Sequence, residues 1–258
     1  EPPVLGVSWD GTGYGLDGTV WGGEFFRVTA DAVEQVGWFR PFPLPGGDKA
    51  VREPRRSALG LLYESFGEDA MAHEELAPVA AFSAAERATL RTMLGRQLNC
   101  PLTSSVGRLF DAVASLIGLR HICRFEGQAA MELEFALSAK ASEAAYQFQI
   151  SDFKSQMQID WKPMLDELLD NSRRGLATGE MAAKFHNALV EAIVAVARRI
   201  GEPRVVLTGG CFQNRYLTER AVWRLQEAGF RPYWHQRVPP NDGGIALGQV
   251  VAAWRAIR

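Results

Sequence analysis

The sequence holds few cysteines. Cys100, Cys123 and Cys211 are an odd number, widely spaced, and no Cys-x-x-Cys pair occurs. That spacing supports neither a disulfide framework nor a zinc knuckle, and a reducing cytoplasm is the natural setting. Histidine is equally scarce. His73, His121, His186 and His235 never stand three to five residues apart, so no two share a helix face as metal ligands do. No apolar run approaches the ~20 residues that cross a bilayer, and no signal-peptide pattern opens the chain. An excess of charge of one sign is also missing. The 28 basic and 30 acidic residues leave a net charge of −2, which gives no electrostatic case for nucleic-acid or membrane binding. Repeats and low-complexity tracts are absent.

What remains is an ordinary globular composition, 47% hydrophobic and 22% charged, over 258 residues. That length suits one large domain or two lobes around a cleft. Glu1-Pro2-Pro3 runs almost at once into a strand-like Val4-Leu5-Gly6-Val7, and without an initiating methionine the opening reads as that of an excised fragment.

Periodicity predicts strands at residues 4–9 and 19–28, joined by a glycine-crowded loop with a hairpin turn at Asp17-Gly18. Residues 39–49, with three prolines and two glycines, read as a linker. Residues 49–99 have a helical pattern. Within it Arg52, Arg55 and Arg56 form either a solvated helix face or a basic patch open to phosphate. Further helices are predicted at 104–119, 129–140 and 181–200, and a strand pair at 146–150 and 157–161. The end repeats strand 204–207, helix 217–228, strand 231–235 and helix 245–257. The fold class is α/β, a mixed sheet with helices.

Three glycine-bearing loops carry candidate chemistry. In the first, Asp10-Gly11-Thr12-Gly13-Tyr14-Gly15, successive amides can form an anion nest, Asp10 can hold a cation or orient a water, and Thr12 can donate to phosphate. A hairpin with no ligand fits equally well. The second, Thr208-Gly209-Gly210-Cys211-Phe212-Gln213-Asn214, lies between a strand and a helix, where α/β proteins bind phosphorylated ligands. Asn214 there is either a ligand-binding amide or an N-cap. Cys211 fits a buried packing residue better than a nucleophile, since no histidine lies near it in sequence. In the third, Pro239-Pro240-Asn241-Asp242-Gly243-Gly244, Asp242 suits a helix cap or a hard oxygen ligand for a metal. His121, His186 and His235 read as packing or hydrogen-bonding residues.

Taken together, six ordered blocks between residues 6 and 249 resemble the transferase half of the HypF hydrogenase maturation proteins. They are Trp9–Gly15 with Trp21-Gly22-Gly23-Glu24; Leu44–Ala50 with Arg52-Glu53-Pro54; Thr103–Ala112; Phe125–Glu134; Gly209–Asn214; and Pro240–Gln249. The resemblance implies an actin/Hsp70/sugar-kinase-like (ASKHA) two-lobed fold with an incomplete N-terminal lobe. Residues 1–47 would then be a remnant of the first lobe, and residues 48–258 the second lobe with its nucleotide-binding loops.

The activity it implies is carbamoyl transfer. An upstream YrdC-like domain of the same polypeptide makes carbamoyl adenylate from carbamoyl phosphate and ATP. The transferase domain, related to the TsaD-type enzymes, passes the carbamoyl group to the C-terminal cysteine of HypE for cyanide ligand synthesis in nickel–iron hydrogenases. By the same resemblance Gly11, Thr12 and Gly13 embrace phosphate, and Asp111 binds the ribose hydroxyls. Gly127, with Glu126 beside it, packs on the nucleoside, while Gly209, Gly210 and Asn214 hold the adenylate. Asp10 and Asp242 are the catalytic carboxylates. Asp242 would ligate a divalent metal, iron or zinc, whose two histidine ligands lie upstream of this chain. Lys49 and Arg52 belong to a characteristic block of less defined role. Two other readings stand beside this one: a TobZ-like O-carbamoyltransferase acting on an antibiotic or sugar, and a nucleotide-dependent module that docks HypE without turnover.

Overall fold

The structure is a computed structural model that describes residues 2–137, 142–153 and 156–256. The chain opens with β1 (Val4–Tyr14), β2 (Val20–Val28), β3 (Val33–Phe39) and the short β4 (Phe42–Pro43). A helical stretch follows, with α1 (Asp48–Arg52), α2 (Pro54–Phe66), α3 (Ala77–Ala80) and α4 (Ala84–Gly95). Next come β5 (Leu102–Thr103), α5 (Val106–Leu116), α6 (Gln128–Phe135), the hairpin β6 (Gln149–Phe153) and β7 (Gln156–Asp160), and α7 (Lys162–Arg173). The last part is α8 (Thr178–Ile200), β8 (Arg204–Thr208), α9 (Arg215–Glu227), β9 (Arg231–Trp234) and α10 (Ile245–Ala256).

The strands make one mixed nine-stranded sheet whose main path runs β6-β7-β3-β2-β1-β8-β9, with β5 pairing to β2 and β4 off that path. β1 is central. It pairs antiparallel with β2, Leu5 opposite Arg27, and parallel with β8, Leu5 opposite Val205. Its alternation fixes which face is covered: Leu5, Val7 and Trp9 are fully buried on one side. Trp9 meets Phe25 and Phe39 edge-on and stacks on Phe212, so it ties β1 to β2, β3 and the turn after β8. Residues 1–47 and 48–258 contribute strands to this same sheet and side chains to the same core cluster, so no break in the sheet falls at residue 47.

α5 starts at a Ser105 N-cap whose side chain accepts from the Arg108 amide at 3.1 Å. Nearly every side chain of α5 is buried, as befits a helix wedged between the sheet and its neighbours. α8, 23 residues long, buries a broad apolar stripe that includes Phe185, Leu189, Ile193 and Val196.

Several local expectations change. The glycine-rich stretch after residue 9 is not a loose loop. β1 continues to Tyr14, with an irregularity in its pairing to β2 between Trp9 and Gly13, because the glycines admit a bulge without ending the ladder. The linker at 39–49 contains β4, paired to β5. The 49–99 stretch is broken into four helices by a 3-10 turn at Gly67–Ala72 and by bends at Glu53 and Ser83. The predicted 129–140 helix ends at Phe135, and residues 138–141 lie outside the described set. α7 has no counterpart among the predicted elements.

Arg55 and Arg56 are neither a solvated face nor an open basic patch. Both are buried and share the Glu53 carboxylate, at 3.0 and 2.8 Å. Arg56 also donates to Pro45 O at 3.2 Å, which pins the loop before α1.

Candidate functional site

A cleft of about 600 Å3 opens beside the C-terminal half of β1. α5 supplies its floor with Arg108, Phe110 and Asp111; β1 supplies one edge with Asp10 and Gly11. α6 forms a wall with Gly127, Ala130, Met131, Glu134 and Phe135, and Glu126 precedes that wall. The 3-10 turn after β8 brings Gly210, Cys211, Gln213 and Asn214, and the turn before α10 brings Asn241 and Asp242.

Glycine makes these approaches possible. A Cβ on Gly107 would stand 2.6 Å from Gly11 Cα, so only glycine lets the first turn of α5 rest on β1. Gly209 has φ of +101° and its absent Cβ would fall 2.1 Å from Trp9 O, so the turn after β8 crosses directly over β1. Gly209 N donates to Pro240 O at 2.9 Å, tying the second glycine loop to the third. Ser105 Oγ donates to the backbone carbonyls of Asp10 and Gly11, at 2.6 and 2.9 Å, and so locks the β1 bulge to the N-terminus of α5.

The sequence-named residues therefore largely converge. Asp10, Gly11, Asp111, Gly127, Gly210, Asn214 and Asp242 all line this cleft. Thr12 and Gly13 do not: they continue along β1 past the lining, Thr12 exposed and Gly13 paired with Trp21. Gly209 stands behind the lining as the crossing point just described.

Each polar group has a definable state. Asp10 turns Oδ1 back to accept from the Gly11 amide at 2.8 Å. Asn214 is an N-cap in this structure: its Oδ1 accepts from Leu217 N at 2.8 Å, and its Nδ2 donates to His186 Nε2 at 2.9 Å. His186 is wholly buried, and its Nδ1 donates to Ala182 O at 2.7 Å. Burial pushes its pKa down to about 4, so the ring is neutral. The cap of the 3-10 turn before α10 is Asn241, whose side chain accepts from Gly243 N at 3.2 Å, and Asp242 is exposed at the cleft. Cys211, partly exposed at the cleft edge, has its thiol pKa driven upward by desolvation and by Asp10 nearby, which disfavours the thiolate a nucleophile needs.

Asp111 is buried, and burial raises its carboxyl to about 6; Arg108 pulls the value down and Glu126 adds to the rise. Arg108 Nη1 stands 2.9 Å from Asp111 Oδ2. The angle makes this an ion pair without a well-formed hydrogen bond, since neither atom has a hydrogen-bond partner among the described residues.

Among the described residues no group of three or more His, Cys, Asp or Glu side chains gathers as a metal site. Asp242 alone does not make one, so the residues present do not fit a complete metal centre, and no chemistry is routed through a metal here.

Sequence reasoning passed over Arg108, Met131, Glu134, Phe135 and Gln213. A usable signal existed for two of them. Arg108 stands three residues before Asp111, on one helix face. Glu134, within a quoted block, accepts from Tyr216 N at 3.1 Å and docks α6 on the start of α9.

Known proteins resemble the chain closely. The family model described as carbamoyltransferase, Kae1-like domain, second subdomain, matches residues 6–249. Carbamoyltransferase HypF of Synechocystis sp. is 40% identical over 99% of this chain and 35% of its own length. A crystal structure of full-length HypF in its phosphate- and nucleotide-bound form superposes with a TM-score of 0.89 at 38% identity, over 97% of this chain and 39% of that one. The HypF of T. kodakarensis gives a TM-score of 0.84 at 27% identity, over 98% of this chain and 34% of that one. The chain thus spans about a third of the length of these relatives. No described helix is long and apolar enough to cross a membrane. With its mixed α/β sheet, its convergent glycine loops and its match from residue 6 to residue 249, this chain belongs to the HypF carbamoyltransferase family.

Proposed function

We propose that this chain is the adenylate-binding lobe of a HypF carbamoyl-transfer domain with the ASKHA two-lobed fold. The observation that carries this reading is the convergence of Asp10, Gly11, Asp111, Gly127, Gly210, Asn214 and Asp242, from separate stretches of sequence, on one cleft of about 600 Å3. That volume suits a nucleotide. The nucleotide- and phosphate-bound form of the similar full-length HypF supports the same reading. The single sheet through residues 1–47 and 48–258, and the description of the matching family as a second subdomain, support treating both stretches as one lobe.

In this scheme a YrdC-like domain of the same polypeptide makes carbamoyl adenylate from carbamoyl phosphate and ATP in the cytoplasm. The acceptor is the C-terminal cysteine of HypE, and the carbamoyl group goes on to become a cyanide ligand of a nickel–iron hydrogenase. The cysteine sulfur bonds to the carbamoyl carbon, the carbon–oxygen bond to the phosphate breaks, AMP leaves with that electron pair, and the thiol proton passes to water. The acceptor supplies the nucleophile, which agrees with the raised thiol pKa of Cys211. Asp111 takes the ribose hydroxyls, the backbone at Gly11 and Gly210 lies against the phosphate, and α6 from Gly127 onward walls the nucleoside. Asp10 orients the reacting end. Asp242 would hold, with histidine ligands from elsewhere in the polypeptide, the iron or zinc ion that the described residues do not complete.

The test is Asp242→Ala in the full-length protein. Carbamoyl transfer to HypE, read as a mass shift of HypE, is expected to be lost. Carbamoyl-phosphate-dependent ATP–pyrophosphate exchange, which reads adenylate synthesis, is expected to stay near the wild-type value. Because Asn241 is the cap, the substitution costs little stability, and transfer at close to the wild-type rate would refute the role given to Asp242.

A further inference from the structure

The described lining of the cleft holds five carboxylates, Asp10, Asp111, Glu126, Glu134 and Asp242, and one basic side chain, Arg108. A phosphorylated ligand entering such a surface meets net repulsion, and only Arg108 among these residues offsets it. Arg108 is not a surface arginine that happens to reach inward, since its side chain is 5% exposed. A buried guanidinium ordinarily uses all its N–H groups. Here Nε and Nη1 have no hydrogen-bond partner among the described residues, although Nη1 lies 2.9 Å from Asp111 Oδ2. Nη2 lies beside β1, where a Cβ on Gly11 would come within 3.2 Å of it. Glycine at position 11 therefore leaves open the space between the guanidinium and the strand. Nε and Nη1 are themselves enclosed, so the donor left for a ligand is Nη2; a guanidinium fixed from one side by a carboxylate in this way can turn that N–H group toward a phosphate oxygen.

We infer that Arg108 is the phosphate-receiving residue of the cleft, with its guanidinium held between Asp111 and Gly11 to meet the phosphate of a nucleoside monophosphate or its acyl derivative. The inference rests on the nucleotide reading above and adds to it a residue and a division of labour: Asp111 for the ribose, Arg108 for the phosphate. A bland alternative is that Arg108 serves only as the counter-ion of Asp111.

The two are separated by calorimetric titration of adenosine and of AMP against the wild-type protein, Arg108→Gln and Arg108→Lys. The expected result is tighter wild-type binding of AMP than of adenosine. In Arg108→Gln the AMP-to-adenosine affinity ratio falls about tenfold to a hundredfold, the range for a lost charged hydrogen bond, over and above what adenosine itself loses through Asp111. Arg108→Lys retains part of the AMP preference, because it keeps the charge and loses the fork. Equal loss for adenosine and AMP would mean that Arg108 acts only through Asp111 or through packing, and would overturn the inference while leaving the nucleotide reading in place. Wild-type protein that binds both ligands equally well would do the same. Wild-type protein that binds neither refutes the nucleotide reading and this inference with it. If Arg108→Gln does not fold, as near-ultraviolet circular dichroism would reveal, the AMP-to-adenosine ratio of Arg108→Lys decides, and an unchanged ratio counts against the inference.

Discussion

Asp111 shows how one buried group sets a condition on the whole site. Its carboxyl, raised to about 6 mainly by burial, changes protonation in the range where the site would work. An ionised carboxylate accepts both ribose hydroxyls, whereas a protonated one loses acceptor capacity and its hold on Arg108. Adenosine affinity is therefore expected to rise between pH 5 and pH 7, with a midpoint near the value of about 6 held by Asp111. In Asp111→Asn the affinity should be weaker by about tenfold and flat over the same range. Titration calorimetry at several pH values tests this, and an Asp111→Asn variant with the wild-type pH profile would remove Asp111 from ribose binding. At this scale the sequence was informative where a residue sits in a turn between a strand and a helix, as Gly210 and Asp242 do, and at Asp10 in the glycine-rich irregularity of β1. It was silent where the decisive property is burial. Nothing in the string marks Arg108 as an enclosed cation, because its setting depends on the close approach of α5 to β1. Asn214 was legible as a cap or a ligand-binding amide; the bond from Leu217 N makes it a cap here, and the bond of its Nδ2 to His186, 28 residues away in sequence, could not be read from the string.

That close approach belongs to the scale of elements. α5 carries Arg108 and Asp111, and its position rests on Gly107 against Gly11 and on Ser105 bonded to the carbonyls of Asp10 and Gly11. Gly107→Ala places a Cβ 2.6 Å from Gly11 Cα, so helix or strand must shift. The expected cost is about 1–3 kcal/mol by urea unfolding, as for other overpacked sites. Adenosine binding should weaken as well, because the floor of the cleft moves with the helix. Unchanged stability and binding would show that α5 is not seated as described. Element types were readable where one period dominates: β1, α5, α8 and the final strand–helix alternation follow from apolar spacing alone. The boundaries failed where tertiary pairing overrides local pattern. The bulge keeps β1 going through glycines that alone suggest a loop. β4 and β5, two residues each, exist only because they pair with each other and with β2. α7 escaped because its apolar positions, Met164, Leu165, Leu168 and Leu169, sit among charged residues in a stretch that the strand-like pattern before it made easy to overlook.

Across the whole molecule, one sheet and one main core join the site to distant helices, and His186 is where that connection can be titrated. Its neutral ring links Ala182 in α8 to Asn214 at the start of α9, and so to the cleft. Its pKa is lowered from 6.5 to about 4, so the folded state binds its proton more weakly than the unfolded state. The stability this contributes is present above pH 6.5 and is lost as the pH falls toward 4, an amount of about 3 kcal/mol by linkage. Asp111 has the opposite sign. Its pKa is raised from 3.8 to about 6, so the folded state binds that proton more tightly and gains stability as the pH falls through the same window. The two contributions are of similar size and oppose each other, which flattens the wild-type profile. Replacing His186 exposes the imbalance. His186→Leu is expected to cost about 1–3 kcal/mol at pH 7, where Asn214 Nδ2 loses its acceptor. The gap between wild type and variant should then close as the pH is lowered from 6.5 to 4, because the unfolded wild type takes up a proton on His186 that the folded, neutral ring does not. Urea unfolding at half-unit pH steps measures that difference directly, with all other titrating groups common to both proteins. A gap that stays constant across this range would mean that His186 is not held neutral by burial, and that the link from α8 through Asn214 to the cleft is not the one described.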